Sequence, residues 1–176
     1  MKLLAIIFLF IFGSNHVFAT SQARDILCIN GEEYYLESFP LEDFFKINKE
    51  KRPKSSDFIS TGLYRGYIAT FEIIDNQIFV KDIEQLLHDK KNNISYFKSI
   101  LNEIFPIFNE RKTEWYSGLL IVGFGNIIEE ESLFDNVYEK YRVFEVKNGN
   151  ITNVKYYTLS EYEIFKHEQY LRLHNL

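Results

Sequence analysis

The sequence predicts an α+β, mostly β domain in which a curved antiparallel sheet or partly closed barrel carries one or two packed helices. Three observations predict it. Pairs of turn-forming residues interrupt apolar runs at three places, and the elements follow one another without regular βαβ alternation. Aromatic residues make up 17% of the chain, 12 Tyr and 17 Phe beside one Trp, and such side chains favour pleated, half-buried surfaces.

The chain opens on an export pattern. Lys2 precedes the apolar run Leu3 to Phe12; Gly13-Ser14-Asn15-His16 breaks it, and Val17-Phe18-Ala19 closes it. A positive start, a short apolar core and small residues at the last and third-last positions are what a signal peptidase reads. Residues 1–19 are therefore expected to be a signal peptide cut after Ala19, leaving 20–176 as a single β-rich globular domain, periplasmic or secreted. The apolar run falls well short of the ~20 residues that span a bilayer as a helix. No later segment reaches that length, so no stable membrane insertion is expected after cleavage. A lipid anchor at Cys28 is disfavoured, because Asp25-Ile26-Leu27 lacks small residues.

Three hairpins follow from the turn residues. Ile26–Ile29 turns at Asn30-Gly31 into Glu32–Ser38, and both turn residues can take positive φ. Arg65–Ile74 turns at Asp75-Asn76 into Gln77–Ile83, with Tyr67, Ala69, Phe71 and Ile73 on one face. Tyr138–Val146 turns at Asn148-Gly149 into Asn150–Tyr157. Its first arm changes phase between Tyr141/Val143 and Phe144/Val146, which implies a bulge or burial on both faces.

Between the second and third hairpins, Phe97, Ile100, Leu101, Ile104 and Phe105 form an apolar stripe of helical period, capped by Asn93 or Ser95 and ended by Pro106. Glu114–Phe124 reads as a buried strand punctuated by glycines. A closing helix is expected from Ser160, where Ser160-Glu161-Tyr162-Glu163 has the capping-box pattern. Lys46–Asp57 reads as a solvated basic loop.

Composition limits the chemistry. Loss of Lys2 with the leader takes the formal charge from −5 to −6, which argues against nucleic acid as a partner. Cys28 is the only cysteine, so no intramolecular disulfide and no cysteine-based zinc site is available. It reads as a small buried hydrophobe, with a reactive or intermolecular thiol as the alternative. His88, His167 and His174 show no ligand spacing, and no nucleophile elbow or phosphate-binding glycine loop occurs. Glu129-Glu130-Glu131 with Asp135 reads as a solvated acidic turn. No catalytic residue, metal ligand or cofactor is therefore assigned. The candidate binding residues are Tyr64, Arg65, Tyr67, Trp115 and Tyr116, because Trp, Tyr and Arg anchor binding surfaces; Tyr67 and Trp115 as core residues are the alternative.

Pro40-Leu41-Glu42, Arg65-Gly66-Tyr67-Ile68-Ala69-Thr70-Phe71-Glu72-Ile73, Ile78-Phe79-Val80 and Trp115-Tyr116-Ser117-Gly118 together resemble a set of small uncharacterised bacterial exported proteins. These carry a Pro-Leu-Glu segment, an Arg-Gly-Tyr-x-Ala-Thr-Trp hairpin and a Trp-[Phe/Tyr]-Ser-Gly strand. Phe71 stands where the set has Trp. The resemblance implies a bacterial β-rich domain and no mechanism. The expected function is that of an exported, non-enzymatic binding protein, an inhibitor or immunity-type partner of another protein. The alternative is a small β-barrel ligand carrier or hydrolase whose site converges only in three dimensions; a pocket lined by Arg65, Tyr67 and Trp115 would favour it.

Overall fold

A computed structural model describes residues 22–53, 61–130 and 136–174. The expected leader, Glu131 and Asp135 lie outside the described residues, as does the end of the basic loop from Lys54.

Each turn pair makes the hairpin its chemistry favours. β1 (Ile26–Ile29) and β2 (Glu32–Tyr35) join through Asn30 and Gly31, at φ 53° and 86°. β3 (Tyr67–Ile74) and β4 (Gln77–Asp89) join through Asp75 and Asn76, at φ 48° and 59°. β5 (Ile94–Ser99) returns along the far half of β4. β6 (Gly118–Glu130) pairs with β7 (Asn136–Lys147), which turns through Asn148-Gly149 into β8 (Asn150–Thr158). The positive φ values suit Asn, Asp and Gly, whose αL conformations cost least.

The strands form one large mixed sheet in the order β2-β1-β3-β4-β8-β7-β6, with β5 beside β4. All pairings are antiparallel except β1 with β3, whose connection runs through β2 and a helix. The sheet is not closed into a barrel. Its halves meet at a narrow seam, where Gln77 of β4 registers with Asn150 of β8, and again at an isolated Leu36–Val122 bridge between its ends. At the seam the Ile78 amide donates to the Gly149 carbonyl at 2.9 Å, and the Gly149 amide to the Tyr116 carbonyl at 2.9 Å. Gly149 is required there. Its φ is +72°, and a Cβ would stand 2.7 Å from the Thr113 carbonyl.

The main core lies within the curl of the sheet. Leu27, Phe71, Val80, Leu120 and Phe144 supply its strand faces, and helices α1 (Pro40–Ile47) and α2 (Leu101–Ile104) add Leu41, Phe44, Ile104 and others. A second cluster lies behind β7, where Tyr141 and Val143 are covered by Tyr162 of α3 (Leu159–Leu173). The phase change expected in β7 thus has both of its causes. The ladder to β8 shifts between Glu145 and Val146, and the strand is buried on both faces.

Three elements differ from the sequence expectation. The helical stripe is only one turn, Leu101–Ile104; Ile100, Leu101, Ile104 and Phe105 are buried as its period requires, but Phe97 lies on β5 and is 48% exposed. Ladder pairing of Ile94–Ser99 with Glu84–Asp89 outweighs helical propensity there. Pro40–Ile47 is helical, with Pro at its first position and Leu41, Phe44 and Phe45 on the core side; Lys46 lies in its last turn and Lys49–Lys51 forms a 3₁₀ turn, so the basic stretch is partly ordered. The cap of the closing helix lies two residues earlier than expected. Thr158, not Ser160, forms the capping box: its amide donates to Glu161 Oε2 at 2.8 Å, and its hydroxyl accepts from the Glu161 amide.

Candidate functional site

The residues singled out from sequence sit mostly inside. Arg65 is 6% exposed, and its Nη1 donates to Asp25 Oδ1 at 2.9 Å while Nη2 donates to the Ala23 carbonyl at 2.6 Å. Its guanidinium lies 3.9 Å from the centre of the Phe39 ring and 5.2 Å from that of Tyr67. The same Asp25 oxygen accepts the Ala69 amide at 3.1 Å. Burial pushes the Asp25 carboxyl up to about 6, against the pull of Arg65 and the Ala69 amide.

Tyr67 is fully buried and donates to Glu42 Oε1 at 2.6 Å, and Glu42 is held from outside by Arg52 Nη2 at 2.8 and 2.9 Å. Burial and that hydrogen bond raise the Tyr67 phenol well above its usual range. Tyr116 is buried, with its hydroxyl on the Leu119 carbonyl at 2.9 Å. Trp115 is half-buried against Phe44, with ring centres 5.3 Å apart. Tyr64 alone of the five is exposed, at 64%.

The structure therefore brings Arg65 and Tyr67 together as core residues rather than as the walls of a pocket. Glu42, Arg65, Tyr67 and Ala69, all within the quoted motifs, are joined by one buried polar network around Asp25. That network ties β1, the approach to β3, and α1.

The other candidates separate in space. Cys28 is buried, with Lys81 Nζ 3.4 Å from its sulfur. His88 lies on β4, His167 on α3 and His174 at the end of α3. Among the described residues no three His, Cys, Asp or Glu side chains gather as a metal site. Glu129 and Glu130 are exposed at the end of β6.

A different constellation emerges at one end of the curled sheet. Arg142 alternates with the outward Tyr141 and Val143, so it shares the inner face of β7 with Phe144 and Val146. It registers with Val122 on one side and Tyr156 on the other. Four rings surround its guanidinium: Tyr156 of β8 at 5.1 Å, Phe124 of β6 at 5.3 Å, and Tyr34 of β2 and Phe144 at 5.9 Å each. The side chain is half-buried, and its Nε is wholly buried without a hydrogen-bond partner. Among the described residues no carboxylate forms an ion pair with it.

The ring faces offset part of the cost of holding this cation out of water. They leave its N–H donors unclaimed, and a guanidinium carries five in a planar fork that fits a carboxylate. Tyr34, bonded to Glu32 Oε2 at 2.6 Å, and Phe124 also border an adjoining cleft of about 320 Å³, whose far wall is Tyr138. Tyr138 reaches that wall because Gly123 has no side chain; a Cβ there would stand 2.0 Å from the ring.

One sequence signal for this site was present. A cation at the i−2 position to Phe144 and the i−4 position to Val146 faces inward if the phase of those residues is followed. The rings from β2, β6 and β8 carry no such signal, because only folding brings them around Arg142.

A second cleft, about 390 Å³, lies between β7 and α3, with Arg24, Glu37, Glu163 and Lys166 on its walls. Its charges are largely engaged: Tyr162 donates to Glu37, and Lys166 meets Glu163 at 2.7 Å. Comparison with protein-family models, curated proteins and solved structures finds no match, so the chain is read from its own residues.

Proposed function

We propose that this chain is an exported, non-enzymatic binding protein, of the inhibitor or immunity type, and that it engages another protein through the aromatic end of the sheet around Arg142. The single observation that carries the reading is the half-buried Arg142 guanidinium, held by four rings and matched to no carboxylate among the described residues. Arg and Tyr are the residues that dominate binding energy at protein interfaces, and Tyr156 is 62% exposed beside Arg142. A carboxylate on the partner would accept from the guanidinium fork, while Tyr34 and Tyr156 exclude water around the pair.

The export part of the reading is tested by N-terminal sequencing of the mature protein, which begins at Thr20 if Ala19 precedes the cut. The binding part is tested by placing a photo-cross-linking residue at Tyr156 in the producing cell. One protein captured in discrete stoichiometry, and lost when Arg142→Gln is added, supports it. Turnover of an ester, glycoside or phosphate substrate that falls with Arg142→Gln counts against it.

A further inference from the structure

We infer that the free edge of β5 pairs with the same edge of a second copy of this chain, joining two molecules through one continuous sheet. Nothing in this depends on the role proposed for Arg142. β5 pairs with β4 alone, so among the described residues its other edge presents backbone N–H and C=O groups to no strand. Such a row is chemically specific, because only another extended backbone satisfies it in series.

Most of the usual protections of an edge are missing, and one Lys remains. Ile94–Ser99 contains no proline, its ladder to β4 runs without a bulge from Ser99 to Ile94, and its one charge, Lys98, is engaged by Glu103 at 3.0 Å. All six residues are exposed, including Ile94 at 58% and Tyr96 and Phe97 at 48% each. Phe97 is also the residue whose apolar character predicted burial on a helix. It is instead presented at the surface on the strand edge.

The edge is complementary to itself. A two-fold axis between antiparallel strands puts residues on the same face opposite one another, so the axis passes through one residue of β5. Centred on Phe97, it sets Phe97 against Phe97 of the second copy, Lys98 against Tyr96, and Ser95 against Ser99. This register matches ring with ring and cation with ring, and it opposes no like charges. Centring on Tyr96 would instead place Lys98 against Ile94. The net negative charge, −5 for the whole chain and −6 without residues 1–19, makes the copies repel at long range, so association strengthens as salt is added.

The test is sedimentation equilibrium of the protein beginning at Thr20, from about 1 µM to about 1 mM, where small interfaces titrate, at low and high salt. Reversible dimerisation that strengthens with salt is expected, and Phe97→Lys, which opposes two cations, is expected to weaken it at least roughly tenfold. Phe97→Cys reads the register directly, since directly opposed Cβ atoms stand about 4.5–5.5 Å apart and can be bridged after slight adjustment. Under mild oxidation it should form a disulfide-linked dimer much faster than Ile107→Cys, a control at an exposed site off the sheet. A monomer at every concentration overturns the proposal. So does a dimer indifferent to Phe97→Lys with no preferential cross-link at position 97; if Phe97→Lys fails to fold, the cross-linking comparison still decides.

Discussion

Arg65 Nη1 stands 2.9 Å from Asp25 Oδ1, with the two side chains only 2% and 0% exposed. Breaking such a pair from one side leaves the other charge buried, and that residual charge dominates the cost. Arg65→Met is therefore expected to destabilise the domain by about 3–5 kcal/mol in urea denaturation. Adding Asp25→Asn should recover a large part of this loss. A double variant no better than the sum of the two singles would show that the residues act separately.

Asp25 also makes a pH signature. Its folded value, about 6, lies above the ordinary 3.8, so the folded state holds the proton more tightly than the unfolded chain between those values. Stability from this group is thus fully present below about 4 and is lost as pH rises through about 6, by an amount on the order of 2–3 kcal/mol. The readout is the difference between wild type and Asp25→Asn, which cancels the surface carboxylates. That difference should move against wild type on going from pH 4 to 7, and a flat difference curve would refute the assignment.

Arg142 should trade stability for binding. Its guanidinium is half-buried without a carboxylate partner, so Arg142→Met removes a desolvation cost while keeping contact with the rings. Unfolding free energy is expected to stay level or rise by about 1 kcal/mol. Capture of the proposed partner should nevertheless fall. A large destabilisation would instead make Arg142 a purely structural residue.

The start of α3 separates two capping patterns. Thr158→Ala removes the hydroxyl that accepts the Glu161 amide and should cost about 1 kcal/mol. Ser160→Ala, at the position the sequence pattern favoured, should stay within about 0.5 kcal/mol. Equal losses, measured by chemical denaturation, would contradict the observed cap.

Local rules accounted for much of the architecture and little of the site. Asn30-Gly31, Asp75-Asn76 and Asn148-Gly149 located three hairpins, because positive φ is a property of the turn residues themselves. Phe97 fits a helical stripe in sequence yet lies on a strand, because a stripe of period 3.6 and a strand edge can share the same few residues until β4 offers a ladder. Arg65 and Tyr67 have the composition of a binding surface, yet Asp25 and Glu42, 40 and 25 positions away, draw them inward.

By itself the sequence determined a mostly β domain, the placement of its turns, the phase change in β7 and the isolation of Cys28, all consequences of side-chain period and of residue-level backbone preference. The tertiary structure alone decided which polar groups were enclosed and which were left at the surface. Tyr34, Phe124, Phe144 and Tyr156 come from four strands, and they meet around Arg142 only because the sheet curls its ends together. That curvature depends on contacts far apart in the chain, and no local pattern encodes it.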